Sequence, residues 1–139
     1  MGEKFFTSKE AAKAVGCSLR QLQYWREKEV VVPTIQGSGI GRSIYYSQSD
    51  VVRLAIMEYL LSVGLSFATA SWGLKTLIKA DTDYANPKTK KSWMLRWDID
   101  YRKLVLEKYE REKAIALLDK GQAVIPIWLD TIHHALNQS

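Results

Sequence analysis

The sequence predicts an α+β protein: four helices and a glycine-tipped hairpin over residues 1–80, then a small ββαβα unit over residues 92–139. Three observations predict it. Two capping boxes, Thr7 with Glu10 and Ser18 with Gln21, start two short helices with only Gly16-Cys17 between them. A glycine-rich run, Gln36-Gly37-Ser38-Gly39-Ile40-Gly41, joins a β-branched stretch to Arg42-Ser43-Ile44-Tyr45-Tyr46. Further on, Trp93, Leu95, Trp97 and Ile99 alternate with Met94, Arg96, Asp98 and Asp100, the period of a strand with one buried face.

The first helix is expected over residues 8–15, with Ala11, Ala12 and Val15 as its apolar stripe and Gly16 as its stop. The second begins at Ser18. At 100° per residue, Leu19, Leu22, Trp25 and Arg26 fall on one side, and Arg20, Gln23, Tyr24, Glu27 and Lys28 on the other. The spacing is that of a helix-turn-helix. The polar side offers a guanidinium, an amide, a phenol and an ammonium, groups that suit phosphate oxygens and base edges in a major groove. Cys17 precedes a helix N-terminus, which favours a thiolate. No second cysteine exists to complete a metal site or a disulfide, so Cys17 reads as a small residue closing the turn.

Residues 30–35 are β-branched and read as a strand, at a sheet edge because of Pro33. Residues 42–46 read as its return partner. Gly37, Gly39 and Gly41 do not make a dinucleotide fingerprint, which needs a helix after the glycines, not a strand. The hairpin reads instead as a wing against a DNA backbone, with Arg42 beside or in the minor groove. Ser47 with Asp50 caps a third helix reaching about Val63 and stopping at Gly64. It is apolar nearly all round, so it packs on more than one side. Ser66 caps a fourth, whose stripe is Phe67, Ala70, Leu74, Leu77 and Ile78. Trp72 lies off that stripe and reads as facing the C-terminal segment or a partner chain, or as an ordinary partly buried surface aromatic.

Residues 81–91 lack periodicity. Asn86-Pro87 and the cluster Lys88, Lys90, Lys91 read as a solvated linker. Then come strands at 93–100 and 103–109, a helix at 110–120, a strand at 123–129 at an edge given Pro126, and a helix at 131–137 capped by Asp130.

The formal net charge of +5 is uneven: +2 over residues 1–50, +3 over 51–91 and zero over 92–139. The excess sits in the helical half, and a basic face attracts polyanions. There is no apolar run long enough for a membrane helix and no signal-peptide core near Met1, so a cytoplasmic protein without membrane contact is expected. His133 and His134 are adjacent on a helix, about 100° apart, and cannot chelate one metal together. With no nucleophile–base arrangement and no conspicuous carboxylate pair, the sequence gives no catalytic residue, no metal site and no cofactor.

The order and spacing of these pieces resemble the N-terminal domain of the MerR family of bacterial transcription regulators, a winged helix-turn-helix. The residues that carry the resemblance are Phe6-Thr7, Glu10-Ala11-Ala12, Val15-Gly16-Cys17-Ser18, Arg20-Gln21-Leu22-Gln23-Tyr24-Trp25, Tyr45-Tyr46-Ser47, Asp50-Val51-Val52-Arg53-Leu54 and Gly64-Leu65-Ser66. The resemblance implies double-stranded DNA as partner, a homodimer on a pseudo-palindrome, and a contact with RNA polymerase. The DNA-contacting candidates are Ser18, Arg20, Gln21, Gln23, Tyr24, Lys28, Arg42, Ser43 and Tyr45. The division expected is a DNA-binding domain at 1–80, a linker at 81–91, and a dimerisation or effector domain at 92–139.

Two departures stand out. Family members often place Arg directly before the Tyr-Tyr pair, whereas Ser43 and Ile44 intervene here. The long dimer helix of better-known members has no counterpart, because Pro87 interrupts it. Two rival readings use the same residues: an architectural, excisionase-like or phage-type protein that bends DNA, and a protein-interaction module without DNA binding, to which Glu27 and Glu29 give weight.

Overall fold

The computed structural model describes residues 4–37 and 43–137. A two-residue strand, β1 (Phe5–Phe6), leads into α1 (Ser8–Val15). Thr7 caps α1 reciprocally: its N–H donates to Glu10 Oε1 at 2.9 Å, and Glu10 N–H donates to Thr7 Oγ1 at 3.2 Å. Those bonds hold the Glu10 carboxyl below its ordinary range. Gly16 takes the left-handed conformation (φ 84°) and its N–H closes on Ala12 O at 2.8 Å. Ser18 and Gln21 repeat the reciprocal cap, and α2 runs over Leu19–Glu27.

The chain then departs from the expected strand at 30–35. Glu29, at φ 58°, reverses the backbone, and Val30 N–H bonds back to Trp25 O at 2.8 Å. Val30, Val31 and Pro33 are buried under this turn instead of pairing in a sheet. Three-dimensional burial overrides β propensity here. Only β2 (Ile35–Gln36) remains extended, antiparallel to β3 (Ile44–Ser47) with Ile35 opposite Tyr45. On its other edge β3 pairs with β1, Phe6 opposite Tyr46, so the small sheet has the order β1-β3-β2. The hairpin tip, including Arg42, lies outside the described residues.

Helix α3 (Gln48–Ser62) is the centre of the molecule: Val52, Leu54, Ile56, Met57 and Leu60 are fully enclosed. After a turn at Gly64, α4 (Phe67–Ala80) packs along it. The fit is close at Gly73, where an added Cβ would stand 3.2 Å from Leu60 Cδ1 and 3.7 Å from Leu95 Cδ1. Residues 81–91, expected to be solvated, bury Asp81, Tyr84 and Thr89. The Asp81 carboxylate accepts from Trp93 Nε1 (3.0 Å), Lys91 Nζ (3.2 Å) and the Asp83 N–H (3.0 Å), which is why it tolerates enclosure. Arg53 donates to the Tyr84 hydroxyl, and His133 Nε2 donates to the Tyr84 carbonyl at 2.8 Å. Lys88, Lys90 and Lys91 stay exposed.

The second half runs β4 (Ser92–Asp98), β5 (Lys103–Lys108), α5 (Arg111–Asp119), β6 (Val124–Trp128) and α6 (Leu129–Asn137). Its antiparallel sheet has the order β5-β4-β6, which puts Pro126 on an edge strand. Helix α6 follows β6 without a break, so Asp130 stands in its first turn and not before it as a cap. Trp93, Leu95 and Ile127 face α3 and α4, within one continuous buried cluster that also holds Trp25, Leu60 and Leu74. The opposite face is covered too. Met94 is fully enclosed, and Glu107, opposite it in register, pairs with Arg96 at 2.8 Å and with Lys113 of α5 at 2.9 Å. The alternation therefore marks two packed faces, and Ile99 escapes burial by lying in the β4–β5 turn.

Candidate nucleic-acid interface

Helix α2 sorts its residues by face. Leu22 and Trp25 are buried at 2% exposure, on the side of α2 that packs against α1 and within the central buried cluster. Arg20, Gln23, Tyr24, Glu27 and Lys28 are exposed, as the helix wheel requires. Leu19, expected on the inner side, is exposed as well, at 47%. Among the described residues Arg20 has no ion-pair partner, so its guanidinium is free. Gln23 Nε2 donates to Glu27 Oε1 at 3.1 Å, one helical turn on. The Tyr24 ring packs against Phe67 of α4, centroids 5.0 Å apart and tilted by 59°, and Lys28 Nζ stands 5.6 Å from the Tyr24 centroid. Tyr24 thus stays 44% exposed and is held from two sides.

Ser18 and Gln21 are brought together, but with each other: their side chains are engaged in the α2 cap. They fix where α2 begins. Ser43 is exposed beside the hairpin tip, and its carbonyl accepts the Gly37 N–H at 2.9 Å. Tyr45 is half-buried on β3, opposite Ile35. Its neighbour Tyr46 points inward, fully enclosed, with no partner for its hydroxyl among the described residues. Burial pushes the Tyr46 phenol up.

Sequence reasoning missed two contributors. Arg26 was assigned to the inner side, yet it is half-exposed and lines a hollow of about 220 Å³ with Gln36, Gly37 and Ile44, linking α2 to the hairpin. The signal was present, since an arginine on an apolar face usually sends its head outward. Phe67 was read as part of a buried stripe, but it is half-exposed and braces Tyr24, a contact no periodicity announces.

Cys17 is half-buried, and enclosure, with a lesser push from the Glu58 charge, raises its thiol to about 11. That is the opposite of an activated thiolate. Among the described residues no three His, Cys, Asp or Glu side chains cluster as metal ligands do, and no helix is long and apolar enough to cross a membrane.

Residues 6–72 match the family model described as MerR HTH family regulatory protein. Over 57 residues the chain is 39% identical to uncharacterized HTH-type transcriptional regulators of Mycobacterium tuberculosis (Rv1830) and Mycobacterium bovis (Mb1861). That stretch is 40% of this chain and 25% of each relative, so the match spans about a quarter of their length. A solved structure titled as HiNmlR, a MerR family regulator lacking the sensor domain, bound to promoter DNA, is similar at a TM-score of 0.45 and 21% identity, over 58% of this chain and 59% of that one. The likeness to MerR HTH regulators thus rests on residues 6–72, just under half of the chain.

Proposed function

We propose that the chain is a sequence-specific DNA-binding regulator of transcription, built as a winged helix-turn-helix. Helix α2 enters the major groove, with Arg20, Gln23, Tyr24 and Lys28 toward base edges and phosphates. The hairpin is the wing, laid on the flanking backbone through Ser43, Tyr45 and the tip residue Arg42. Ser18 and Gln21 set the register of α2 and offer at most their remaining polar atoms. Residues 1–80 make the DNA contacts. Residues 92–139, whose formal charge sums to zero, add little phosphate attraction and serve assembly or effector binding. Two protomers read a pseudo-palindrome, and cytoplasmic location and contact with RNA polymerase belong to the same reading.

The observation that carries this is the outward row of α2, with an unpaired Arg20, inside the region that matches the family. The test is selection of bound sites from random DNA, followed by gel shifts at two salt concentrations for the wild type and Arg20→Ala. A base-reading Arg20 is worth about 1–3 kcal/mol of specific binding. A phosphate contact weakens all sequences evenly and lowers the salt slope by about 0.9 per contact. Unchanged affinity and slope in the folded variant remove α2 from the interface.

A further inference from the structure

A cleft of about 590 Å³ opens between two parts of the molecule that the DNA-contacting row does not use. One wall is the α3–α4 turn and the first turns of α4, with Ser66, Thr69 and Trp72; the other is the end of β4 and the start of β5, with Trp97, Arg102 and Lys103. The size lies within the range of small-molecule sites.

Each wall contributes one indole. Trp72 is 40% exposed, an unusual allotment for the largest apolar side chain, and Trp97 is half-buried. Each wall also contributes positive potential. Arg102 and Lys103 stand on one side, and the other carries the N-terminal end of the 14-residue helix α4, the positive end of its dipole. Ser66 Oγ takes up the Thr69 N–H there, and of the first turn the Phe67 and Ala68 N–H groups are left without an intrahelical acceptor. No carboxylate lines the cleft. Asp98, at the end of β4, is turned into its own loop, accepting the N–H groups of Asp100 and Tyr101 and pairing with Arg96. Arg102 makes no ion pair among the described residues. Its backbone is left-handed at φ 52°, a conformation that is strained for a non-glycine residue. Strain of this kind concentrates where a side chain must be aimed.

From these features we infer that the cleft is a binding site for a small planar aromatic anion, a ring bearing a carboxylate or a phosphate. The rings of Trp72 and Trp97 cover the flat apolar body. Arg102 supplies a forked donor for the anionic group, with Lys103 and the α4 N-terminus adding attraction. A cationic ligand finds no counter-charge here, and a purely aliphatic one wastes both indoles.

The test titrates the full chain, without DNA, by calorimetry and tryptophan fluorescence, so its failure is separate from any failure of DNA binding. The probes are 2-naphthoate, its uncharged isostere 2-naphthamide, and inorganic phosphate. The expected result is saturable binding of one naphthoate per chain, with naphthamide at least about tenfold weaker and phosphate alone weaker still. Trp72→Ala should weaken naphthoate and naphthamide alike, by about tenfold. Arg102→Ala should weaken naphthoate only, erasing the preference for the charged ring. Both residues are on the surface, and melting curves of the two variants serve as the check that they fold. The proposal is overturned by lack of saturation at millimolar naphthoate, by equal affinity for the charged and uncharged rings, by phosphate binding as well as naphthoate, or by indifference to both substitutions.

Discussion

The Asp50 carboxylate ties the start of α3 to the entry of the hairpin through Thr34. Asp50 Oδ2 accepts from the Thr34 N–H at 2.8 Å, the Thr34 hydroxyl at 2.6 Å and the Ser47 N–H at 2.9 Å. The residue is 4% exposed. One oxygen thus completes a helix cap and fixes the strand that leads to the hairpin tip. Asp50→Ala strands the buried Ser47 N–H and frees both Thr34 donors, and a typical net loss is about 2–4 kcal/mol. Asp50→Asn keeps one acceptor oxygen and should lose less. Chemical denaturation with unchanged m-value checks the ranking, and equal stability of Asp50→Ala and wild type contradicts it.

Phe67 sets the second prediction. Its ring supports Tyr24 from outside α2, and an aromatic pair of this kind is worth about 0.5–1.5 kcal/mol. If Tyr24 meets DNA, Phe67→Ala should weaken binding by about three- to tenfold while leaving the salt slope unchanged, because no charge is removed. A changed slope, or no loss of affinity, would show that Tyr24 does not need this brace. Trp25→Ala makes the contrast: it empties a site 2% exposed and should cost about 3–5 kcal/mol of stability.

Local signals were the legible ones. The reciprocal caps at Thr7, Ser18 and Ser47 and the left-handed Gly16 and Gly64 need only neighbours within a few residues, and all stand where the spacing put them. The outward row of α2 was equally readable, because a helix wheel needs only one phase. What escaped was decided by partners far along the chain. Val30 and Val31 carry β propensity, but the reversal at Glu29 tucks them under α2. Asp81 looked like a linker residue until Trp93 and Lys91 arrived to satisfy it. Met94 looked solvent-facing because nothing in the strand itself reveals that α5 covers the second face. Tyr24 reads from the sequence as a candidate contact residue, whereas the Phe67 ring that braces it does not.

Cys17 gives a pH prediction. Its thiol rises from 9.0 to about 11, chiefly through enclosure. At pH 8 the thiolate fraction is then about 100-fold below that of an ordinary thiol, and reaction with an aromatic disulfide reagent should slow in proportion. The linkage follows. The folded state holds its proton more tightly than the unfolded chain, so this contribution to stability is whole below pH 9.0 and is lost as pH rises toward about 11. Cys17→Ser should flatten that part of the stability–pH curve. Fast modification of the folded protein at pH 8 would contradict the enclosure of the thiol.

Gly73 supplies the last prediction, because it reports on whether the two halves stand alone. An added Cβ there meets Leu60 of α3 at 3.2 Å and Leu95 of β4 at 3.7 Å, so one helix position touches both halves of the molecule. Alanine at this position gains about 1 kcal/mol of helix propensity and needs only a small shift of the Leu60 methyl. Isoleucine exceeds the space and should cost about 1–3 kcal/mol by overpacking. The same junction bears on a fragment ending near residue 85. Removing β4 and α6 strips cover from Leu60 and Leu74, both fully enclosed in the whole chain, and from the Tyr59 hydroxyl, which donates to the Pro126 carbonyl. The caps of α1 to α4 survive in that fragment, but the apolar surface of α3 and α4 does not stay dry. The fragment should therefore melt well below the full chain or self-associate through α3 and α4. Thermal melting with sedimentation decides: a monomeric fragment as stable as the whole protein would show that residues 92–139 fold as an independent unit and lend the helices nothing.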